Sequence, residues 1–260
     1  MLHPLTAIML VLLTALPAAA AGPADLPGRA GGAVTEVVDG DTVFLEDGTE
    51  VRLVGIQAPK LPLGRKGFRK WPLADEAKAT LEALTAGRRF ELHFGGRQMD
   101  RHGRALAHLV TEDGLWLQGE LLRLGMARVY SFPDNRSLVG EMLALERAAR
   151  RQRFGIWSHP YYAIRTPAGT ADDIGTFQIV EGRVADAADV RGRLYLNFGE
   201  DWRTDFTVSI DRTARRLFTE AAPAIWNNQV IRVRGWLKSR NGPMIEVTHP
   251  EQIESEGEQE

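Results

Sequence analysis

The residues of this chain best equipped for chemistry are Asp39 and Asp41 in Asp39-Gly40-Asp41-Thr42, Arg52 in Val51–Ile56, and Arg104 in Asp100-Arg101-His102-Gly103-Arg104. Carboxylates hold hard cations through oxygen ligands. Arginines present a planar fork of donors that matches phosphate oxygens. Two acids and two guanidinium groups in one stretch of chain are the equipment of phosphodiester chemistry. Gln57 and Lys60, in the same stretch, do not fit that equipment. Each candidate also has a plainer reading. Asp39 and Asp41 flank Gly40 as acids do in turns. Arg52 lies among apolar residues, where a lone charge is costly, so it also reads as an ion-pair partner of Asp39 or Asp41. Arg104 reads also as a solvated turn residue, and His102 as a surface histidine of the same turn.

Short β-rich runs must position these groups. Ala33–Val38, Thr42–Leu45 and Glu50–Ile56 read as strands, with Glu46-Asp47-Gly48 as a hairpin turn. Residues 57–71 hold two prolines, two glycines and five basic residues, so they read as a basic loop. Phe68 and Trp71 are interleaved with Lys66, Arg69 and Lys70, a mixture that lets bases stack while phosphates meet cations; a plain solvated loop is the alternative. Pro72 opens a helix with the stripe Leu73, Ala77, Leu81 and Leu84, and Gly87 stops it. Strands follow at Arg88–Phe94 and Arg104–Thr111, then helices with the stripes Leu117/Leu121/Leu124 and Leu138/Met142/Leu145/Ala149. Arg150-Arg151-Gln152-Arg153 reads as the solvated end of the last helix. Five strands with a helix between the third and fourth is the order of an oligonucleotide-binding (OB) barrel.

A second unit repeats that order without repeating the sequence: strands at Phe177–Ala185, Arg193–Phe198, Asp205–Ile210, Val230–Leu237 and Pro243–Val247, with a helix at Ala214–Ala222. The fold class expected is therefore α+β, mostly β: two small five-stranded OB-type barrels, the first with three helices. The division expected is a signal peptide at 1–21, the first domain at 33–160, a linker across Tyr162–Thr176, the second domain at 176–250 and an acidic tail at 251–260. The signal peptide is read from an apolar run, Ile8–Ala21, ending in small residues, which predicts export to the periplasm or medium with cleavage near Ala20 or Ala21. Residues 33–160 carry 19 Lys/Arg against 17 Asp/Glu, and residues 161–260 carry 12 against 16. Neither balance supports nucleic-acid binding by bulk charge, so such binding needs local patches. The chain has no cysteine, which fits an exported protein without disulfides and a cytosolic one alike. No later run is apolar enough to span a membrane.

Residues 33–158 resemble the staphylococcal nuclease (thermonuclease) family. The resemblance rests on Asp39-Gly40-Asp41-Thr42, on Arg52-Leu53 with Gly55-Ile56 and Pro59, and on Asp100 with Gly103-Arg104 and Leu106-Ala107. Gly125-Met126-Ala127 and Gly155-Ile156-Trp157 complete it. The second unit resembles an OB-fold appendage. The first resemblance implies a nuclease acting on DNA or RNA with calcium held by Asp41, by the residue at Gln57 and by the backbone carbonyl of Ala58. It implies that Arg52 and Arg104 clamp the phosphate, and that the residue at Lys60 is the general base. Two positions depart from the family. Gln57 keeps a carbonyl oxygen but loses a negative charge, so calcium is expected to bind weakly, at roughly 10⁻⁴ to 10⁻³ M. Lys60, protonated, cannot accept a proton; it stands either as a third phosphate-neutralising cation or as a binding residue. The function expected is exported, nuclease-like phosphodiester hydrolysis, weakened by Gln57 and Lys60. The alternative is a non-catalytic nucleic-acid or polyanion-binding protein that keeps the arginines.

Overall fold

The computed structural model describes residues 22–219 and 222–255; the expected signal segment lies outside them. The first unit contains β1 (Gly28–Asp39), β2 (Thr42–Leu45), β3 (Glu50–Leu53), β4 (Ile56–Gln57), α1 (Ala74–Thr85), β5 (Arg89–His93) and β6 (Ala105–Val110). It ends with α2 (Leu117–Arg123), β7 (Arg128–Val129) and α3 (Val139–Arg151). β1, β2, β3, β6 and β5 close into a barrel in that order, with β3 and β6 the parallel pair. β1 serves both β5 and β2 because it bends near Gly31, where the register slips. A Cβ on Gly31 would lie 2.4 Å from both Leu92 Cδ1 and the Phe90 carbonyl oxygen, so only glycine permits that approach. Val43, Leu45, Val51, Leu53, Leu92 and Leu109 fill the barrel, and Leu117 and Leu121 of α2 seal it. Each contributes about 1.5–3 kcal/mol by leaving water.

Two departures from the expected elements matter for the site. The strand expected over Glu50–Ile56 breaks at Gly55, whose φ of 82° is left-handed. Beyond that break β4 leaves the barrel and pairs with β7, setting Gln57 opposite Arg128. α1 begins at Ala74 rather than Pro72, because Leu73 takes a left-handed φ of 63° at the helix entry.

The second unit contains β8 (Phe177–Arg183), β9 (Asp186–Val190), β10 (Arg193–Asn197), β11 (Thr207–Ile210), α4 (Arg212–Arg215), β12 (Val230–Ser239), β13 (Pro243–Val247) and β14 (Ile253–Ser255). β8 pairs with β12, whereas β9, just beyond Val184 and Ala185, pairs with β10. The two are halves of one bent strand, as β1 is. The remaining order β10, β11, β13, β12, with β11 and β13 parallel, repeats the circuit of the first barrel. The helix expected over Ala214–Ala222 is the shorter α4, begun by Asp211, whose Oδ1 accepts from the Thr213 and Ala214 amides at 2.8 Å. Its expected end touches residues 220–221, outside the described chain.

The acidic tail and the basic helix end are corrected together. Residues 253–255 form β14 against β12, and Glu254 is fully buried. Arg234 of β12, 1% exposed, donates to Glu146 of α3 at 2.9 and 3.0 Å and to Glu254 at 2.5 Å. Arg150 pairs with the same two glutamates, at 3.3 and 2.9 Å, and Arg136 binds Glu251 at 2.8 Å. Opposite charges from the two barrels thus meet in one buried network, whose members satisfy each other. The linker expected across Tyr162–Thr176 is tied down at both ends. At its start Tyr162 donates its hydroxyl to the Pro72 carbonyl at 2.7 Å, and at its end the Gly175 amide donates to the Leu237 carbonyl while Thr176 accepts from the Leu237 amide, each at 2.8 Å.

Candidate functional site

Asp39 ends β1 and Asp41 precedes β2, so a tight turn places both carboxylates at the mouth of the barrel. Gly40 permits this: a Cβ there would lie 2.6 Å from Ala58 Cβ and 2.9 Å from Ala77 Cβ. The Asp41 amide donates to Asp39 Oδ1 at 3.1 Å. Asp41 is completely buried, and its oxygens are fully engaged. Lys60 Nζ lies 2.5 and 2.7 Å from Oδ1 and Oδ2, Arg52 Nη1 lies 3.1 Å from Oδ1, and the Ala58 amide donates to Oδ2 at 2.8 Å. The same ammonium reaches Asp39 Oδ2 at 3.1 Å.

One lysine thus neutralises two acids, and the acids respond differently. Burial alone would raise the Asp41 pKa, but Arg52, Lys60 and the Ala58 amide outweigh it and hold it at about 2. Asp39 is pushed up, by burial first and by the adjacent Asp41 charge second, against the pull of Lys60 and Arg52. As pH falls, Asp39 is therefore the member of the pair that takes a proton first.

Arg52 on β3 is held by its own barrel mouth. Its guanidinium donates to the carbonyls of Asp41, Leu53 and Ile56 at 3.1, 3.0 and 2.8 Å. These contacts use Nη1 and one N–H of Nη2; Nε–H and the other Nη2–H have no partner among the described residues. Arg104, at the head of β6, is oriented by Asp100, whose Oδ2 accepts from Arg104 Nε at 2.7 Å. Oδ1 of the same carboxylate accepts from the amides of His102 and Arg104 at 2.8 and 3.0 Å, so the turn itself aims the arginine. Both arginines line one cleft of about 510 Å³. Arg97 and Arg101 line it too, and Tyr130 and Phe132 form an aromatic wall. Four arginines face Asp100 and Asp134 there, a local positive excess within a chain of net charge −2. Arg97 and the aromatic wall are absent from the sequence reading, and Arg101 enters it only as part of the Asp100–Arg104 motif; the basic residues around Asp100 are the one signal for the two arginines, and nothing signals the aromatic wall.

The side chains expected to hold calcium have other partners. Asp41 already holds an ammonium on both oxygens. Gln57 Oε1 accepts two hydrogen bonds from Arg128, at 3.0 and 2.8 Å, because β4 pairs with β7. Burial lowers the Arg128 pKa only to about 10, so it stays a cation at neutral pH. Among the described residues no three His, Cys, Asp or Glu side chains gather at metal-binding range. Ala58 enters the cluster through its N–H, as a donor to Asp41. Lys60 stands where a cation shared by Asp39 and Asp41 would stand. The expected loop contacts lie elsewhere: Lys66, Arg69 and Lys70 are exposed and none lines the cleft, and Lys70 pairs with Asp75. Phe68 is covered by the Arg65 guanidinium at 3.8 Å.

The staphylococcal nuclease homologue family matches residues 50–159. A protein of Escherichia coli named as an uncharacterized endonuclease is 30% identical over 138 residues, which span 52% of this chain and 79% of the relative. An endonuclease of Bacillus subtilis is 29% identical over 146 residues, covering 52% of this chain but 12% of that longer protein. The thermonuclease of Staphylococcus hyicus is 25% identical over 134 residues, covering 48% of this chain and 75% of its own. The second barrel begins beyond the family match.

Proposed function

Because the chain belongs to the staphylococcal nuclease homologue family, we propose that it hydrolyses phosphodiester bonds of nucleic acid in the Arg52–Arg104 cleft, slowly and without a resident divalent cation. The observation that carries this reading is the convergence of Arg52 and Arg104, each braced by its own carboxylate, on one basic cleft. Phosphoryl transfer gathers negative charge on the equatorial oxygens, and donors fixed beforehand lower that barrier. The Nε–H of Arg52 and Nη1 of Arg104 are such donors. Lys60 keeps Asp41 charged and Arg52 in place, a positioning task that a metal would otherwise share. The position implied for the general base is thereby spent on an ion pair, and losing general-base help lowers rates by about 10² to 10⁴. Relatives named as endonucleases support the nuclease-like reading. The apolar Ile8–Ala21 run supports a further reading, that the protein is exported before it works.

A second reading, a phosphate-gripping protein that binds nucleic acid without cleaving it, is favoured by the same Lys60 contact. The two part in a cleavage assay on end-labelled single-stranded DNA and RNA with the purified chain. Slow cleavage that Arg104→Ala reduces at least about 100-fold supports hydrolysis, since one lost oxyanion donor costs about that much. Binding weakened by Arg104→Ala, with no cleavage by either protein, supports the second reading. Neither cleavage nor binding would refute both.

A further inference from the structure

The second barrel carries a cleft of about 490 Å³, remote from the phosphate grip, and we propose that it takes one unpaired base of a single-stranded nucleic acid. Leu194 and Leu196 of β10 and Val208 and Ile210 of β11 face the core. Alternation along each strand then turns Tyr195, Asn197 and Thr207 outward. Register aligns Asp186, Asn197, Thr207 and Met244 in one row across β9, β10, β11 and β13, with Tyr195 in the next row. An outward row ordinarily meets water, yet Asn197, Thr207 and Met244 are only 8%, 3% and 3% exposed. The loop bearing Trp202 and the turn at Arg240-Asn241 roof this face and turn it into a cleft.

Its chemistry suits a nucleobase. Trp202 is 48% exposed, with the Arg203 guanidinium over one face of its ring, and Tyr195 forms part of the floor, so one face of Trp202 and the Tyr195 ring are available for stacking. The Asp186 carboxylate accepts hydrogen bonds from ring N–H or amino groups. The Asn197 amide, steadied by Thr207 Oγ1 at 3.4 Å from its Oδ1, keeps its Nδ2 donors without a partner among the described residues. One cation, Arg240 on the turn, stands at the rim for a flanking phosphate; Arg203 lies 4.5 Å over the Trp202 ring and pairs with Asp201 at 3.6 Å. Asp186 repels phosphate, which keeps the backbone at the rim and the base inside. A base still stacked in a duplex cannot enter. The β10–β11 face and the β12–β13 turn are also the surfaces by which small five-stranded barrels of this circuit take oligonucleotides.

This site does not rest on the hydrolytic reading of the first cleft, and its test removes that cleft's contribution. Binding of end-labelled oligothymidylate is followed by fluorescence anisotropy, using the full chain carrying Arg104→Ala as the reference protein. Adding Trp202→Ala or Arg240→Ala, both at loop positions, is expected to weaken binding about 10-fold each. A duplex of equal length is expected to bind the reference protein at least about 10-fold more weakly than the single strand. Circular dichroism melting checks that the variants stay folded, and Trp202→Phe, which retains a ring, is expected to recover most of the affinity. Affinity unchanged within about twofold in both variants, or a duplex bound as tightly as the single strand, would overturn the proposal.

Discussion

Replacing Lys60 by methionine exposes the consequence of using a side-chain cation where a metal would serve. The change removes the contacts at 2.5, 2.7 and 3.1 Å and leaves Asp41, completely buried, with Arg52 as its remaining cation and the Ala58 amide as a donor. Asp39 then faces Asp41 with no cation of its own. Breaking a buried ion pair by deleting one partner costs about 3–5 kcal/mol. Lys60 keeps 18% exposure and Arg52 remains beside Asp41, so the lower end, about 3 kcal/mol, is expected. For a chain of this size that is a fall in Tm of about 6–12 °C. The acids so freed recover a cation site of the loose oxygen-ligand kind, with a Kd of roughly 10⁻⁴ to 10⁻³ M. Millimolar calcium should then return about 0.4–1.4 kcal/mol to the variant by mass action. Differential scanning calorimetry of native chain and Lys60→Met, each in chelator and in calcium, reads both effects. The native Tm should ignore calcium and the variant's should rise by a few degrees. A native Tm that climbs with calcium as much as the variant's would refute the reasoning, because Lys60 would then be yielding its place to the metal.

Three further outcomes follow from buried charge. Gln57→Asp should gain an ion pair with Arg128 rather than a metal ligand, so titration calorimetry should detect no calcium binding; tight binding would show that β4–β7 pairing does not hold the side chain. Arg234→Met leaves Glu146 and Glu254 side by side with Arg150 and Arg147 as their remaining cations and should cost about 3 kcal/mol in urea unfolding, the lower end for a broken buried pair, whereas a neutral result would mean that the network contributes only geometry. His249, buried against Ser131 Oγ at 2.7 Å, and His108 are both held down at about 4 by burial. Their folded pKa values lie below the unfolded one, so the stability they contribute is complete above about pH 6.5 and is lost as pH falls toward 4. For His249 the loss is up to about 3 kcal/mol, and His249→Gln should flatten the decline of Tm between those pH values; an unchanged slope would show that His249 is not the group responsible.

Local pattern carried much of the fold and half of the site. Alternation and turn chemistry located the barrel strands, and the motifs around Asp41, Arg52 and Arg104 carried the family. What the sequence withheld was partnership. Gln57 is a ligand only by the family resemblance; the left-handed Gly55 breaks the strand expected over Glu50–Ile56 and hands the amide to Arg128, which is 71 positions away. Lys60 reads as a misfit because nothing local reveals that its ammonium reaches both acids of the β1–β2 turn. Glu254 and Arg150 each look like solvated charge on their own stretch of chain, and only the meeting of the two barrels shows that they neutralise one another. The Tyr195–Trp202 cleft depends on cross-strand register over four strands, to which composition is blind.

The central claim, that Lys60 occupies the cation's position and the first cleft works without a metal, is tested most directly by one comparison. Cleavage of single-stranded DNA by the purified native chain is measured in excess chelator and again in millimolar calcium. The account predicts slow cleavage at the same rate in both. Cleavage abolished by chelator and restored by calcium would contradict it.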